Sequence, residues 1–167
     1  RQRQMCIRDR MGMEENLTVV MMRVRRSVRT ALREAVREEG LTQNEIEVLL
    51  FLERGKFDTA RDISQVRGMP RSLVSKAVDQ LVKRGFVETC QDKQDRRVVR
   101  LRLLPPAKAL VDKLVQTRRE FFAQLCQGIT QEEAAAFYSM VEKMTKNLNE
   151  CKVLSESSPE EGKVERL

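Results

Sequence analysis

The chain has 167 residues, of which 41% are hydrophobic and 34% are charged, and this composition is typical of one folded, soluble domain. Its 32 lysines and arginines outnumber 25 acidic residues, and the net charge of +7 favours a polyanionic partner such as nucleic acid or an anionic membrane. The chain contains no histidine, which is the usual general base near neutral pH and the commonest metal ligand. We therefore expect no enzyme, no metal site and no cofactor.

The thiols and the hydropathy favour a cytoplasmic protein. Cys6, Cys90, Cys126 and Cys151 form no CxxC pair and lack the close, even spacing of a secreted disulfide scaffold. No apolar run reaches the roughly 18 to 20 residues that span a bilayer, and no signal-peptide pattern opens the chain. We expect reduced thiols, no membrane partner and a cytoplasmic location.

The two ends differ from the rest of the chain. Residues 1–10 show no helical or strand periodicity, and MCIRD at positions 5–9 resembles the translation of a transposon end used in sequencing libraries. We interpret residues 1–10 as a non-native remnant and take residues 11–151 as a single domain. The polar, acidic segment 152–167 is predicted to be a disordered tail.

The first two predicted helices follow each other closely. Apolar residues recur at three- and four-residue spacing over residues 14–38, which predicts a long amphipathic helix that Gly40 can end. Thr42 and Glu45 have the spacing of a capping box, so a second helix is expected from there to about Gly55.

A tight pair of helices comes next. A short third helix is predicted to begin at Asp58 or Thr59 and to close near Gly68. A fourth helix enters at Pro70, which is well placed in a first turn, and runs to Arg84. Its apolar stripe is expected to be buried, which leaves a polar outward face: Arg71, Ser72, Ser75, Lys76 and Asp79.

The remaining elements are a hairpin and two helices. Segments 86–90 and 98–103 alternate apolar and polar residues, and the polar stretch 91–97 between them predicts a β-hairpin with a basic tip. A long helix is expected over residues 107–127, and a capping box at Thr130 opens a last amphipathic helix.

A short helix pair followed by a basic hairpin is the order of a winged helix-turn-helix. The predicted fold class is therefore mainly α with a small β-hairpin wing and long flanking helices, with residues 42–104 as the winged-helix lobe. In such a module the second helix of the pair enters the major groove of duplex DNA, and a wing arginine can enter the minor groove. The candidate DNA contacts are the outward face of the fourth helix and three residues of the wing: Lys93, Arg96 and Arg97.

Three segments carry a family resemblance: SLVSKAVDQLVKRGFV at positions 72–87, DKQDRR at 92–97 and LRL at 101–103. Together they resemble the multiple-antibiotic-resistance regulator (MarR) family of transcription regulators, and the similarity extends over about residues 14–150. The chain departs from the family at residues 103–107, and this departure concerns only the joint between strand and helix.

The resemblance implies a homodimer that interlocks through residues 14–38 and 105–150. It implies binding of a palindromic operator in double-stranded DNA. We expect a repressor, but the position of the operator relative to the promoter, which the sequence does not contain, decides between repression and activation. The resemblance also implies that Asp95 orients the wing through an ion pair with Arg97, and that Arg97 is the minor-groove residue.

Members of this family often bind a small aromatic or phenolic anion between the dimerisation helices and the DNA-binding lobe. Five residues of this chain are candidates for the lining of such a pocket: Met21, Met22, Phe51, Phe121 and Phe122. A stripe of Met and Phe at helical spacing is more often part of a plain hydrophobic core.

Three alternatives differ from a DNA-binding regulator of this kind. A winged helix used as a protein-interaction scaffold predicts a wing without a basic tip and an apolar outer face on the fourth helix. A thiol-based redox sensor of this family places a Cys in the first helix, where this chain has none. A thiol-dependent enzyme requires a base beside a reactive Cys, and histidine is missing.

Overall fold

The structure, a computed structural model, describes residues 7–55 and 58–150, with the side chains of residues 15–55, 58–148 and 150. These residues divide into two units, one ending at Leu125 and the other beginning at Cys126. Two of the thiols that we expect to be reduced, Cys6 and Cys151, lie outside the described residues. So does the predicted tail, residues 152–167.

The element order confirms the predicted fold class, because the chain is mainly helical with one two-stranded antiparallel hairpin. The first unit contains α1 (Ile7–Ala35), α2 (Gln43–Leu52), α3 (Ala60–Arg67), α4 (Arg71–Lys83), β1 (Val87–Gln91), β2 (Val99–Leu103) and α5 (Lys108–Leu125). The second unit contains α6 (Gln131–Glu150). Short 3-10 turns at Arg37–Glu39 and Pro105–Ala107 precede α2 and α5.

The first helix begins earlier and ends earlier than its apolar spacing predicts. α1 starts at Ile7, inside the segment that we set aside as a remnant, and it ends at Ala35. A 3-10 turn then leads to Gly40, whose φ of 60° lies in the left-handed region. The origin of residues 1–10 stays a prediction, since a helical conformation does not bear on it.

Two capping boxes define the starts of α2 and α3. The Thr42 hydroxyl accepts a hydrogen bond from the Glu45 N–H at 3.3 Å, and the Glu45 carboxylate accepts one from the Thr42 N–H at 2.6 Å. The same pair of bonds joins Thr59 and Asp62, at 3.1 and 3.2 Å. Thr59 is therefore the N-cap of α3, which decides between the two predicted starts.

The turn between α3 and α4 is short and closed by hydrogen bonds. Gly68 adopts a φ of 61°, a left-handed conformation that glycine reaches without strain. The Ser64 carbonyl accepts hydrogen bonds from the N–H groups of Gly68 and Met69, and the Ser64 hydroxyl donates to the Met69 carbonyl at 2.7 Å. This turn fixes the angle at which α4 leaves α3.

The core of the first unit is built by every one of its helices and by the hairpin. Its largest fully buried side chains are Ile46, Leu49, Ile63, Leu81, Leu114, Val36, Val48, Val74 and Val87. Complete burial of a side chain of this kind contributes about 1.5–3 kcal/mol relative to exposure. The predicted stripe of α4 is confirmed as buried and consists of Val74, Ala77, Val78 and Leu81.

The hairpin pairs β1 with β2 in register, so that Val87 lies opposite Leu103 and Gln91 opposite Val99. β2 also bonds to the segment before α3, because the Leu101 N–H donates to the Asp58 carbonyl at 2.7 Å. The wing is thus attached to the helix pair along the other edge of β2.

The second unit is described by its single helix, α6. The Thr130 N–H donates to the Glu133 carboxylate at 2.9 Å, and the Glu133 N–H donates to the Thr130 hydroxyl at 3.3 Å, as the predicted capping box requires. Large apolar side chains along α6 are exposed: Phe137, Tyr138, Met140, Val141, Met144 and Leu148.

Within the described part of the chain, none of the helices combines the length and the hydropathy that crossing a bilayer requires.

Candidate nucleic-acid interface

The outward face of α4 lies opposite its buried stripe. The five predicted residues of this face, Arg71, Ser72, Ser75, Lys76 and Asp79, are all exposed. Among the described residues, the side chains of Arg71 and Lys76 form no ion pair, so both cations are available to an external anion. Sequence reasoning missed Leu73, an apolar side chain of the same helix that is 41% exposed.

Both ends of α4 are held in place. At its start, the Pro70 carbonyl accepts the N–H groups of Leu73 at 3.0 Å and Val74 at 3.1 Å. Just beyond its end, the Arg84 guanidinium donates to the Glu39 carbonyl at 2.6 Å and lies 5.0 Å from the centre of the Phe86 ring. The hydrogen bonds between Ser64 and Met69 attach the start of the helix to α3, and Arg84 attaches its end to the corner between α1 and α2.

The wing tip, residues 92–98, exposes the three predicted cations Lys93, Arg96 and Arg97. Asp92 shapes this tip because its carboxylate accepts the N–H groups of Gln94 at 2.7 Å and Asp95 at 2.9 Å. Backbone hydrogen bonds between Asp92 and Val98, and between Val98 and Asp95, each of 2.9 Å, close the turn.

The predicted role of Asp95 requires a correction. Its carboxylate accepts a hydrogen bond from the backbone N–H of Arg97 at 2.9 Å. Among the described residues, the ion pairs of the wing involve Arg100, and the Arg97 guanidinium takes part in none. A carboxylate two residues before an N–H readily closes a local turn, and here this bond replaces the predicted ion pair.

Sequence reasoning also missed Arg100 on β2, whose guanidinium contacts two carboxylates. Its Nη1 lies 2.7 Å from Oδ1 of Asp58, and its Nε donates to Oδ2 of Asp92. The Asp95 N–H, the Arg100 guanidinium and the Gln94 N–H lower the pKa of Asp92 from 3.8 to about 2. Hydrogen bonding to Asp92, with the charge of Asp58, raises the pKa of Arg100, so the group stays charged.

The five predicted pocket residues do not come together. Phe51 is 5% exposed and belongs to the core, where the Arg67 guanidinium lies 5.9 Å from its ring centre. Met21, Met22 and Phe122 are exposed. Of the five predicted residues, only Phe121 lines the groove of about 280 Å³ between α1 and α5. The other residues that line this groove are Arg23, Val24, Ser27, Gln124 and Leu125.

A second cationic cluster, also missed from sequence, joins α1, α2 and α3. Glu47 lies 3.8 Å from Arg29 Nε and 3.7 Å from Arg67 Nη1. Burial lowers the pKa of Arg67 despite the neighbouring Glu47. Arg67 Nε and Nη2 and Arg29 Nε have no hydrogen-bond partner within the described residues. These buried N–H groups can donate hydrogen bonds to a bound anion at modest additional desolvation cost.

The described thiols are separate from these clusters. Cys90 lies on β1 and is half-buried, whereas Cys126 is exposed.

A two-helix turn followed by a hairpin with a cationic tip defines a winged helix-turn-helix protein. Residues 39–98 match the sequence profile of the MarR family. The chain is 27% identical to a MarR-family transcriptional regulator from Silicibacter pomeroyi, with a TM-score of 0.71 over 83% of this chain and 93% of that one. The chain is therefore similar to the MarR family in the sequence of residues 39–98 and in its fold.

Two further comparisons show similarity to proteins described as regulators. The HTH-type transcriptional regulator YsmB of Bacillus subtilis is 32% identical over 73 residues, which is 44% of this chain and half the length of that relative. A cysteine-to-serine variant of the MarR protein of Escherichia coli, in complex with operator DNA, shares the fold with a TM-score of 0.62 at 20% identity, over 77% of this chain and 93% of that one.

Proposed function

We propose that this chain is a transcription regulator that binds double-stranded DNA as a homodimer, represses transcription from a palindromic operator and acts in the cytoplasm. It places α4 in the major groove and Arg97 of the wing in the minor groove. The observation that carries this proposal is the exposed polar face of α4, which stands beside a wing whose tip exposes three cations.

The chemistry of the α4 face suits base edges and phosphates. Arg71 and Lys76 can donate to guanine O6 and N7 or to phosphate, and the carboxylate of Asp79 can accept from cytosine N4. Ser72 and Ser75 are short, so the helix backbone can approach the floor of the groove closely. A protein-interaction scaffold requires an exposed apolar face, whereas these five residues are all polar or charged.

Exposed apolar side chains on the flanking helices support a homodimer. Soluble chains rarely expose large apolar patches unless these contact a partner. In the first unit, α1 and α5 carry six such residues: Val19, Val20, Met21, Met22, Phe122 and Leu125. In the second unit α6 carries six more.

We further propose that a small aromatic or phenolic anion releases the DNA. The half-buried cations Arg29 and Arg67 support this part of the proposal, because an anion would satisfy donors that have no partner within the described residues. A panel of aromatic carboxylates and phenols, titrated against the protein–DNA complex, tests it. DNA release that is weaker in Arg67→Gln supports the proposal, and no release throughout the panel contradicts it.

DNA binding is tested by fluorescence anisotropy with duplexes that the full chain selects from a random pool. Lys76→Gln and Arg97→Ala should each weaken binding by about 1–3 kcal/mol. The matched control Lys113→Gln removes one exposed charge from α5 and should leave the affinity nearly unchanged. Binding should also fall steeply as salt is raised, because phosphate contacts release counterions. A chain that selects no duplex even at low salt contradicts the proposal.

A further inference from the structure

The ion pairs of Arg100 connect two parts of the DNA-binding lobe that are far apart in the chain. One nitrogen of its planar guanidinium contacts Asp58, in the segment before α3, and another contacts Asp92, at the base of the wing tip. We name this three-residue arrangement the Arg100 bridge. Arg100 is suited to this role because its rigid fork offers separate donors to two carboxylates at once.

The Asp58 end of the bridge is tied to the helix pair. The Asp58 carbonyl accepts the Leu101 N–H at 2.7 Å, and the next residue, Thr59, pairs with Arg100 in an isolated β-bridge. Thr59 is also the N-cap of α3. The position of the Asp58 carboxylate is therefore set by the start of α3.

The Asp92 end is tied to the wing tip. Asp92 accepts the N–H groups of Gln94 and Asp95, and the Asp95 carboxylate accepts the N–H of Arg97. A continuous series of hydrogen bonds therefore runs from the start of α3, through Arg100, to the backbone of Arg97.

We propose that Arg100 is a positioning residue that holds the wing tip at a fixed place relative to α3 and α4, so that α4 and Arg97 reach the DNA together. This inference rests on the proposed function. A two-stranded hairpin is only marginally stable by itself, so an unanchored wing would have to be ordered at the moment of binding, at an entropic cost. The bridge orders the wing beforehand.

The bridge should affect binding more than folding. The Arg100 side chain is 40% exposed and that of Asp58 34%. Ion pairs with such exposure contribute little to the stability of a fold, because water and salt screen them. The two ion pairs of Arg100 can still favour one orientation of the wing, because the wing is a short hairpin.

A loss of DNA affinity in Arg100 variants could also arise if Arg100 contacts a phosphate directly. Variants that differ in charge distinguish such a contact from the Arg100 bridge. Asp58→Ala removes a negative charge, so electrostatic attraction to DNA alone predicts tighter binding. The bridge predicts weaker binding for Asp58→Ala, as for Arg100→Gln. Arg100→Lys keeps the positive charge but has a single donor group. It should therefore retain a phosphate contact but lose the bridge.

Binding of the full chain and its variants to the duplexes it selects is measured by anisotropy. Arg100→Gln, Arg100→Lys and Asp58→Ala should each weaken binding about tenfold, the lower part of the range for losing one arginine contact. The matched control is Arg102→Gln, on the same strand, exposed and without an ion pair among the described residues; it should weaken binding less than about threefold. In an Arg97→Ala background, Arg100→Gln should have no further effect, because both changes disable the same contact.

Tighter binding by Asp58→Ala, full affinity in Arg100→Lys, or additive losses for Arg97 and Arg100 would each overturn the inference. Limited trypsin digestion gives a second readout that needs no DNA. Cleavage after Lys93, Arg96 and Arg97 should be several-fold faster in Arg100→Gln than in wild type or Arg102→Gln, with thermal melting unchanged. Equal cleavage rates contradict the bridge, whereas a wild-type chain that selects no duplex contradicts the proposed function.

Discussion

Truncating Ile63 to alanine should destabilise the chain by about 3 kcal/mol, within the range of about 2–5 kcal/mol for a large aliphatic residue in a core. Ile63 is 0% exposed and is the buried residue of α3. The change removes roughly three methylene-sized groups at about 0.8 kcal/mol each, and the remaining cavity adds to this loss. Domains of this kind have a total stability of about 5–15 kcal/mol, so the loss is easily measured.

Val66→Ala is the matched control on the same helix, because Val66 is 59% exposed. Its expected cost is below about 0.5 kcal/mol. Both variants are compared with wild type by urea unfolding, which is monitored by far-UV circular dichroism. One fixed protein concentration is used, because the proposed homodimer would gain stability with concentration. The midpoint should fall for Ile63→Ala with an unchanged m-value. Equal losses in the two variants would refute the claim that Ile63 attaches α3 to the core.

Three further predictions follow from the caps, the charges and the thiols. Thr59→Ala should cost about 1 kcal/mol of unfolding free energy, while Thr59→Ser keeps most of the capping box. The stabilisation from ionised Asp92 is present above its ordinary pKa of 3.8 and is lost as the pH falls through about 2. Asp92 therefore does not titrate between pH 6 and pH 8, and the chain has no histidine. DNA affinity should accordingly change less than about twofold over this pH range. Exposed Cys126 should react faster than half-buried Cys90 with a maleimide.

Each of these predictions has a plain contradicting result. Equal stabilities of the two Thr59 variants would show that the Thr59 hydroxyl does not stabilise the start of α3. A titration step in DNA affinity near pH 7 would require a group that the wing and α4 do not contain. Peptide-resolved mass spectrometry measures the labelling of the two thiols, and faster modification of Cys90 would contradict its half-buried position on β1.

Local patterns in the sequence predicted the parts of the fold that depend on neighbouring residues. The capping boxes of α2 and α6 involve residues three apart, and the buried stripe of α4 follows helical periodicity, so both are visible without tertiary information. The outward face of α4 was predicted for the same reason, because it is the complement of that stripe.

The features that sequence reasoning missed depend on contacts between distant residues. Arg100 and Asp58 are separated by 42 positions, and nothing in a strand that reads Val-Val-Arg-Leu-Arg-Leu distinguishes Arg100 from Arg102. Phe51 was named as a candidate pocket residue because of the family resemblance, although an aromatic residue on an apolar stripe is more often part of the core. The packing of α2 within the core decides between these roles, and periodicity alone does not.

The separation between the two sides of α4 has a consequence for how this protein can diverge. Val74, Ala77, Val78 and Leu81 form the buried side, while the outward face takes no part in the core. Substitutions on the outward face can therefore change the surface that we propose to contact DNA, with little loss of folding stability. The Arg100 bridge is subject to a different constraint, because its three members must change together or be lost together.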